Sequence, residues 1–159
     1  MAGTSTSSSR VGRRSVGGRA YGRNMEMKLE LVAVPVTDVD RAKEFYVEKI
    51  GFNADHDHTV SDEVRFVQLT PPGSACSIAI GKGLTQIVPG GLDNLQMVIA
   101  DADAVRAELV GRGVEVSEVD EQPWGRFVHF SDPDGNRWSL QELPAWSAGA
   151  AGDGADPQG

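Results

Sequence analysis

"LVAVPVTDVDRAKEFYVEKIGF", Leu31–Phe52, decides the fold, because the chain says nearly the same thing a second time. The later stretch is "NLQMVIADADAVRAELVGRGVEV", Asn94–Val116. Setting Asp38 over Asp101 and Asp40 over Asp103 aligns an apolar run, an acidic capping segment, an amphipathic helix and a glycine stop. In the first copy Val32, Val34 and Val36 alternate with Leu31, Ala33 and Pro35, and a period of two with β-branched residues predicts a strand. Asp38 or Asp40 can cap the helix that follows, with Ala42, Phe45, Tyr46 and Lys49-Ile50 as its apolar face and Gly51 as its stop. In the second copy Leu95, Met97 and Ile99 make one strand face. Asp101 or Asp103 caps, Ala104, Val105, Leu109 and Val110 form the stripe, and Gly111 and Gly113 end the helix.

Working outward, each helix is followed by three short strand candidates. In the first half these are Phe52–His58, Val64–Leu69 and Ser77–Ile80, with the turn "TPPG" before the last. In the second they are Val114–Val119, Phe127–Phe130 and Arg137–Glu142, with "DPDG" before the last. Proline presets one backbone angle of such a turn, aspartate accepts local backbone hydrogen bonds, and glycine takes the conformation closed to other residues. The chain therefore reads as α+β: two paired β-α-β-β-β modules whose mixed sheets, each with one helix, keep an open concave face and form a cleft. Module 1 is expected over about 27–83, a Gly-rich linker over about 84–92, and module 2 over about 93–144.

The ends read differently. Residues 1–26 hold five arginines and one acid, Glu26, among serines and glycines. They lack the apolar surface that folding requires, so this leader is expected to be disordered or to reflect a misassigned start. No hydrophobic segment follows Arg13-Arg14 as an export signal needs. The Gly/Ala-rich residues 145–159 are expected to fray. Without the leader the net charge falls from −8 to about −12, a balance that repels nucleic acid and attracts cations. No apolar run approaches the ~20 residues of a membrane-spanning helix. One cysteine, Cys76, leaves neither a disulfide framework nor a cysteine-based zinc site, which suits a reducing cytoplasm. The glycines of "GKGLTQIVPGG" lack the spacing of a phosphate loop.

The repeated modules, the strand-Asp-helix-Phe45-Tyr46-Gly51 pattern and the terminal "DPDGN" together resemble the vicinal oxygen chelate superfamily. That superfamily includes glyoxalase I, extradiol dioxygenases, fosfomycin-modifying enzymes and bleomycin-binding resistance proteins. The resemblance implies a cleft in which the enzymes hold a divalent metal through His, Gln or Glu on the first strand and Glu on the last strand of each half. Carried over by spacing, the first-strand positions are Leu31 and Asn94. The last strand of the first half, Ser74–Lys82, contains no Asp, Glu or His, and the position two residues after DPDGN is Ser139. An aliphatic, an amide and an alcohol replace the imidazoles and carboxylates that such ions require. No metal site is expected there, and no cofactor.

With the usual cage lost, period two assigns the cleft walls: Leu31, Ala33, Asn94 and Gln96 from the first strands, Phe66, Gln68, Phe127 and His129 from adjacent ones, and Arg137, Ser139 and Gln141 from the last. Trp138 falls on the helix-facing parity and is expected in the core. Trp124, between Pro123 and Gly125, is either a flat lid over a ligand or a hydrophobic plug. His129 is the one candidate acid or base near neutral pH, with no partner placed by the sequence to orient it. His56 and His58 share a strand face at a spacing that can bind metal but lack a third ligand. Arg137 either meets an anionic ligand or pairs with Glu142 or Asp134. The expectation is a metal-free protein that binds a small molecule, antibiotic-like or cationic, in the manner of the bleomycin-resistance members. A homodimer with clefts shared between chains is implied by the resemblance. The alternative is a glyoxalase-like lyase or dioxygenase using a relocated divalent metal.

Overall fold

The computed structural model describes residues 25–145; the expectations for the leader up to Asn24 and for the tail from Trp146 lie outside the described residues. Each half forms a four-stranded mixed sheet. In the first, β1 (Leu31–Ala33) leads to α1 (Val39–Glu44), whose last turns widen into a π-helix over Phe45–Ile50. Then come β2 (Asn53–Thr59), β3 (Arg65–Thr70) and β4 (Ser77–Lys82), in the spatial order β1-β4-β3-β2. The second half repeats this with β5 (Leu95–Ile99), α2 (Ala102–Gly111), β6 (Asp120–Gln122), β7 (Gly125–Ser131) and β8 (Arg137–Glu142), in the order β5-β8-β7-β6. In both sheets the first and last strands run parallel and the remaining pairs antiparallel. None of the described helices is long and apolar enough to cross a membrane.

The first aspartate of each candidate pair is the cap. Asp38 accepts from the Arg41 N–H and Asp101 from the Ala104 N–H, each satisfying one orphan donor of a helix start. Gly51 closes the first helix at φ 100°, a conformation that costs a Cβ-bearing residue energy. The second helix turns differently from expectation: Ala102 and Leu109 are buried and Val105 half-buried, while Ala104 and Val110 face solvent. Capping at Asp101 sets the phase of the stripe and brings Ala102 against the sheet.

β8 occupies its expected range, but β6 does not. Val114–Val119 runs beside β7 without forming a ladder, because the Ser117 hydroxyl accepts the His129 N–H at 3.0 Å and only the Ser117 N–H reaches the His129 carbonyl. Regular pairing starts three residues later in the chain, at Asp120 opposite Phe127.

The helix-side faces of the two sheets share one core. Val67, Leu69, Ile78 and Ile80 from the first join Val128, Phe130, Trp138 and Leu140 from the second, with Val39, Ala42, Tyr46 and Leu109 from the helices. Tyr46 is fully buried and stacks on Phe52 while meeting Trp138 edge-on. Its hydroxyl donates to Asp132 Oδ2 at 2.7 Å and accepts from Trp138 Nε1 at 2.9 Å. Asp132 is held in turn by the Asn136 side-chain and backbone N–H groups and by the Asp134 N–H. Asn136 donates across to the Pro35 carbonyl, and Asp134 takes both the N–H and hydroxyl of Thr37 and an ion pair from Arg41. The DPDGN turn is thus the clasp between the modules. Burial first, and then the Asp132 carboxylate, raise the Tyr46 phenol far above its ordinary pKa, so it stays a neutral donor.

Candidate functional site

One face of each sheet is taken by the core, and the sequence-predicted residues lie on the opposite face. Period two places them there, in two groups. On the second sheet Ser139 stands opposite both Gln96 and His129, and Gln141 stands opposite Phe127 and Val98. The side chains form two hydrogen-bonded groups. His129 Nδ1 and Ser139 Oγ lie 3.0 Å apart, Gln96 Nε2 donates to Gln141 Oε1 at 2.8 Å, and Gln141 Nε2 donates to the Trp124 carbonyl at 2.9 Å. The Phe127 and His129 rings run nearly parallel with centroids 6.2 Å apart. Trp124, at the tip of the β6–β7 hairpin, is 57% exposed. Its indole is therefore not a plug, and only its backbone joins the network. Asn94 is exposed just before β5, and Arg137 is exposed at the start of β8.

On the first sheet Leu31 and Ala33 lie opposite Ser77 and Ala79, and Gln68 lies opposite Ala79. Gln68 Nε2 donates to Ser77 Oγ, which also shares a hydrogen bond with Thr70. Phe66 is half-buried next to Gly81. His56 and His58 stack 5.8 Å apart across from Gln68 and Phe66. Among the described residues no hydrogen bond or aromatic pair joins the open face of one sheet to that of the other. Within a single chain the two faces stay separate, and on them Gln96 and Arg137 are exposed while Ser77, Ala79 and Phe127 are buried.

The placement of carboxylates bears on ligand charge. The central strands β4, β3, β8 and β7 put none on the open faces. At the sheet edges two acids stand beside those faces, Asp55 on β2, which accepts from the Thr70 hydroxyl, and Asp120 on β6, opposite Phe127. Asp57 and Glu121 instead point to the helix side, where a device is used twice. Arg65 bridges Asp40 of α1 and Asp57 of β2, and Arg126 bridges Asp103 of α2 and Glu121 of β6, with contacts of 2.8–3.0 Å. Hydrogen bonds from Arg65 and Lys43 hold Asp57 well below the ordinary carboxylate range. Glu142 turns the same way, accepting from the Ala102 N–H and pairing with Arg126. Arg137 consequently pairs with neither Glu142 nor Asp134, because both are occupied on the far side of the sheet or in the clasp.

Next to the open face of the second sheet lies a hollow of about 590 Å³ lined by Glu115, Val116, Ser117, His129, Phe130, Ser131, Asp132 and Arg137. Sequence reasoning missed Ser117 as a wall of this hollow. A hydroxyl inside a run otherwise typical of a strand was the available signal.

Residues 28–140 match the model of the Glyoxalase/Bleomycin resistance protein/Dioxygenase superfamily. The chain belongs to that superfamily. Within it, the chain is 37% identical to an antibiotic binding protein, TnmS3, from Streptomyces sp. CB03234, whose solved structure superposes with a TM-score of 0.70 over 76% of this chain and 100% of that one. A solved superfamily member from Sphaerobacter thermophilus DSM 20745 is 31% identical, with a TM-score of 0.67 over 74% and 98% of the two chains. The uncharacterized protein YetH of Bacillus subtilis (strain 168) is 30% identical over 74% of this chain and its own full length.

A divalent metal does not fit the residues that this superfamily member offers at the positions carried over from the resemblance. Leu31 has no lone pair, Ser139 is engaged by His129, and Asn94 supplies a lone amide oxygen. Among the described residues no three His, Cys, Asp or Glu side chains come together as a metal group. His129 has an oriented partner, and it is a hydroxyl, not a carboxylate.

Proposed function

We propose that this protein binds an antibiotic-like small molecule without chemistry, sequestering it on the open faces of its sheets. The observation that carries this reading is the pair of hydrogen-bonded groups Gln96–Gln141–Trp124 and His129–Ser139 on either side of Phe127. Amides that hold one another still retain a free N–H and a free carbonyl lone pair each, so they meet a ligand preorganised at little entropic cost. Aromatic and apolar surface beside a few fixed polar groups is the usual makeup of a small-molecule site. The antibiotic binding protein TnmS3 supports the ligand class by likeness. The acidic surplus of the chain favours a cationic group at the sheet edges, where Asp55 and Asp120 flank the open faces, while the central strands carry no carboxylate there.

The same reading includes a homodimer in which each open face is completed by the other copy. Two separate faces per chain, edge strands β1 and β5 that pair on one side only, and Val98 left 62% exposed on β5 support it. Light scattering is expected to return twice the 16.9 kDa chain mass; a monomer retaining full ligand affinity would refute the shared site. A thermal-shift screen against structurally varied antibiotics tests the binding reading. At least one compound should raise the melting temperature, and Gln141→Ala should abolish that rise. Elemental analysis of protein purified without chelator is expected to find no stoichiometric zinc, nickel, iron or manganese. A stoichiometric metal, lost together with activity in His129→Ala, would replace this reading with a lyase or dioxygenase. The cytoplasm is the compartment we assign, from the single free thiol of Cys76.

A further inference from the structure

We propose that the hollow between β7 and the Glu115–Ser117 segment is an anion subsite, in which Arg137 grips a carboxylate or similarly charged group of the ligand. The inference rests on the binding reading above and adds the charge of one part of the ligand.

Every other lysine and arginine among the described residues holds a carboxylate or a carbonyl. Lys28, Arg41, Lys43, Arg65, Arg112 and Arg126 are in ion pairs, and Lys49, Lys82 and Arg106 donate to backbone carbonyls. Arg137 alone among the described residues has neither, in a chain with an excess of acids. Its place explains this. Strand parity turns it to the open face, away from Glu142, while the clasp consumes Asp134. A guanidinium offers five donors in a planar fork that matches a carboxylate bidentately.

The surroundings add donors. His129 shares the hollow and uses only Nδ1, on Ser139, so Nε2 has no partner among the described residues. Ser131, opposite Arg137 in the ladder, supplies a hydroxyl, whereas that of Ser117 is spent on the Glu118 carbonyl. Two acids also line the hollow. Asp132 has its oxygens filled by Tyr46, Asn136 and Asp134 donors, which spread its charge into the clasp. Glu115 is exposed at the rim with no such donors among the described residues, and it opposes an incoming anion. That opposition gives the proposal a second, independent signature.

The test uses the full chain and three matched probes: naphthalene-2-carboxylate, its neutral carboxamide and the 2-naphthylmethylammonium cation. Binding is followed by backbone amide NMR shifts over β7 and β8. The carboxylate should bind, more tightly at low salt, with the amide and the cation weaker. Arg137→Gln should weaken it about tenfold or more, the scale of one charge-assisted contact, and Arg137→Lys should recover part of the loss. Glu115→Gln should tighten it. Because both side chains are exposed, these variants keep the fold, and their spectra verify this. Equal binding of the three probes, preference for the cation, indifference to both substitutions, or no shift with the carboxylate would each overturn the subsite. The antibiotic screen with Gln141→Ala decides the binding reading separately, so either can fail while the other stands.

Discussion

At the scale of single residues, the clasp makes the sharpest predictions. Tyr46 lies at its centre, fully buried and bonded to Asp132 and Trp138 across the module boundary. Tyr46→Phe strands the Trp138 N–H in the core and should cost about 1–3 kcal/mol, the penalty for one unsatisfied buried donor. Urea midpoints of the two proteins measure it. Because the folded phenol is raised above its unfolded value near 10, the folded state holds its proton more tightly. The stability it contributes is therefore complete below pH 10 and declines as pH rises beyond it. The wild-type midpoint should fall in that alkaline range, and Tyr46→Phe should flatten the fall. Gly81 offers a different kind of test. A Cβ there would lie 1.9 Å from the Arg65 carbonyl oxygen, so Gly81→Ala must displace backbone. A loss of about 1–3 kcal/mol, as for overpacking, would appear in the same assay; an unchanged midpoint would contradict the β3–β4 packing described.

At the scale of elements, the repeated arginine bridge ties each third strand to its helix. Asp57 is depressed by Arg65 and Lys43, so its share of stability is present above its ordinary pKa of 3.8 and is lost as pH falls through the lower folded value. Asp57→Asn should lower stability at neutral pH and remove part of the acid dependence between about pH 4 and pH 2, read from denaturation at each pH. Much at this scale was legible beforehand. The halves align by eye, and β8 alternates so cleanly that Trp138 and Ser139 could be assigned to opposite faces. The lost strand over Val114–Val119 was not legible, because a Ser117 hydroxyl competing for the His129 N–H depends on where β7 lies. Nor was the π-helix over Phe45–Ile50, since no periodicity distinguishes a widened turn from an α-helical one. Choosing Asp38 over Asp40, and Asp101 over Asp103, likewise needed backbone direction. The site was legible as a face but not as a network. Parity gave Gln96 and Gln141 the same side, yet their mutual hydrogen bond and the Trp124 carbonyl depend on register between strands distant in sequence.

At the scale of the whole molecule, the modules are not independent. Tyr46 and Phe52 of the first pack on Trp138 of the second, and Phe45 on Phe130. Residues 25–91 expressed alone should lack cooperative thermal unfolding and bind a hydrophobic dye, as a loosely packed state does; a sharp transition would show that each half carries its own core.

The stretch Val114–Val119 has one further consequence. Glu115 and Ser117 border the hollow and the stretch shares little of the β-ladder, so its exposed positions can drift through mutation while Val114, Val116 and Val119 stay packed on the core. On the binding reading proposed above, scaffold and contact surface are separable under selection, and a descendant can change its guest by rewriting a few exposed loop codons.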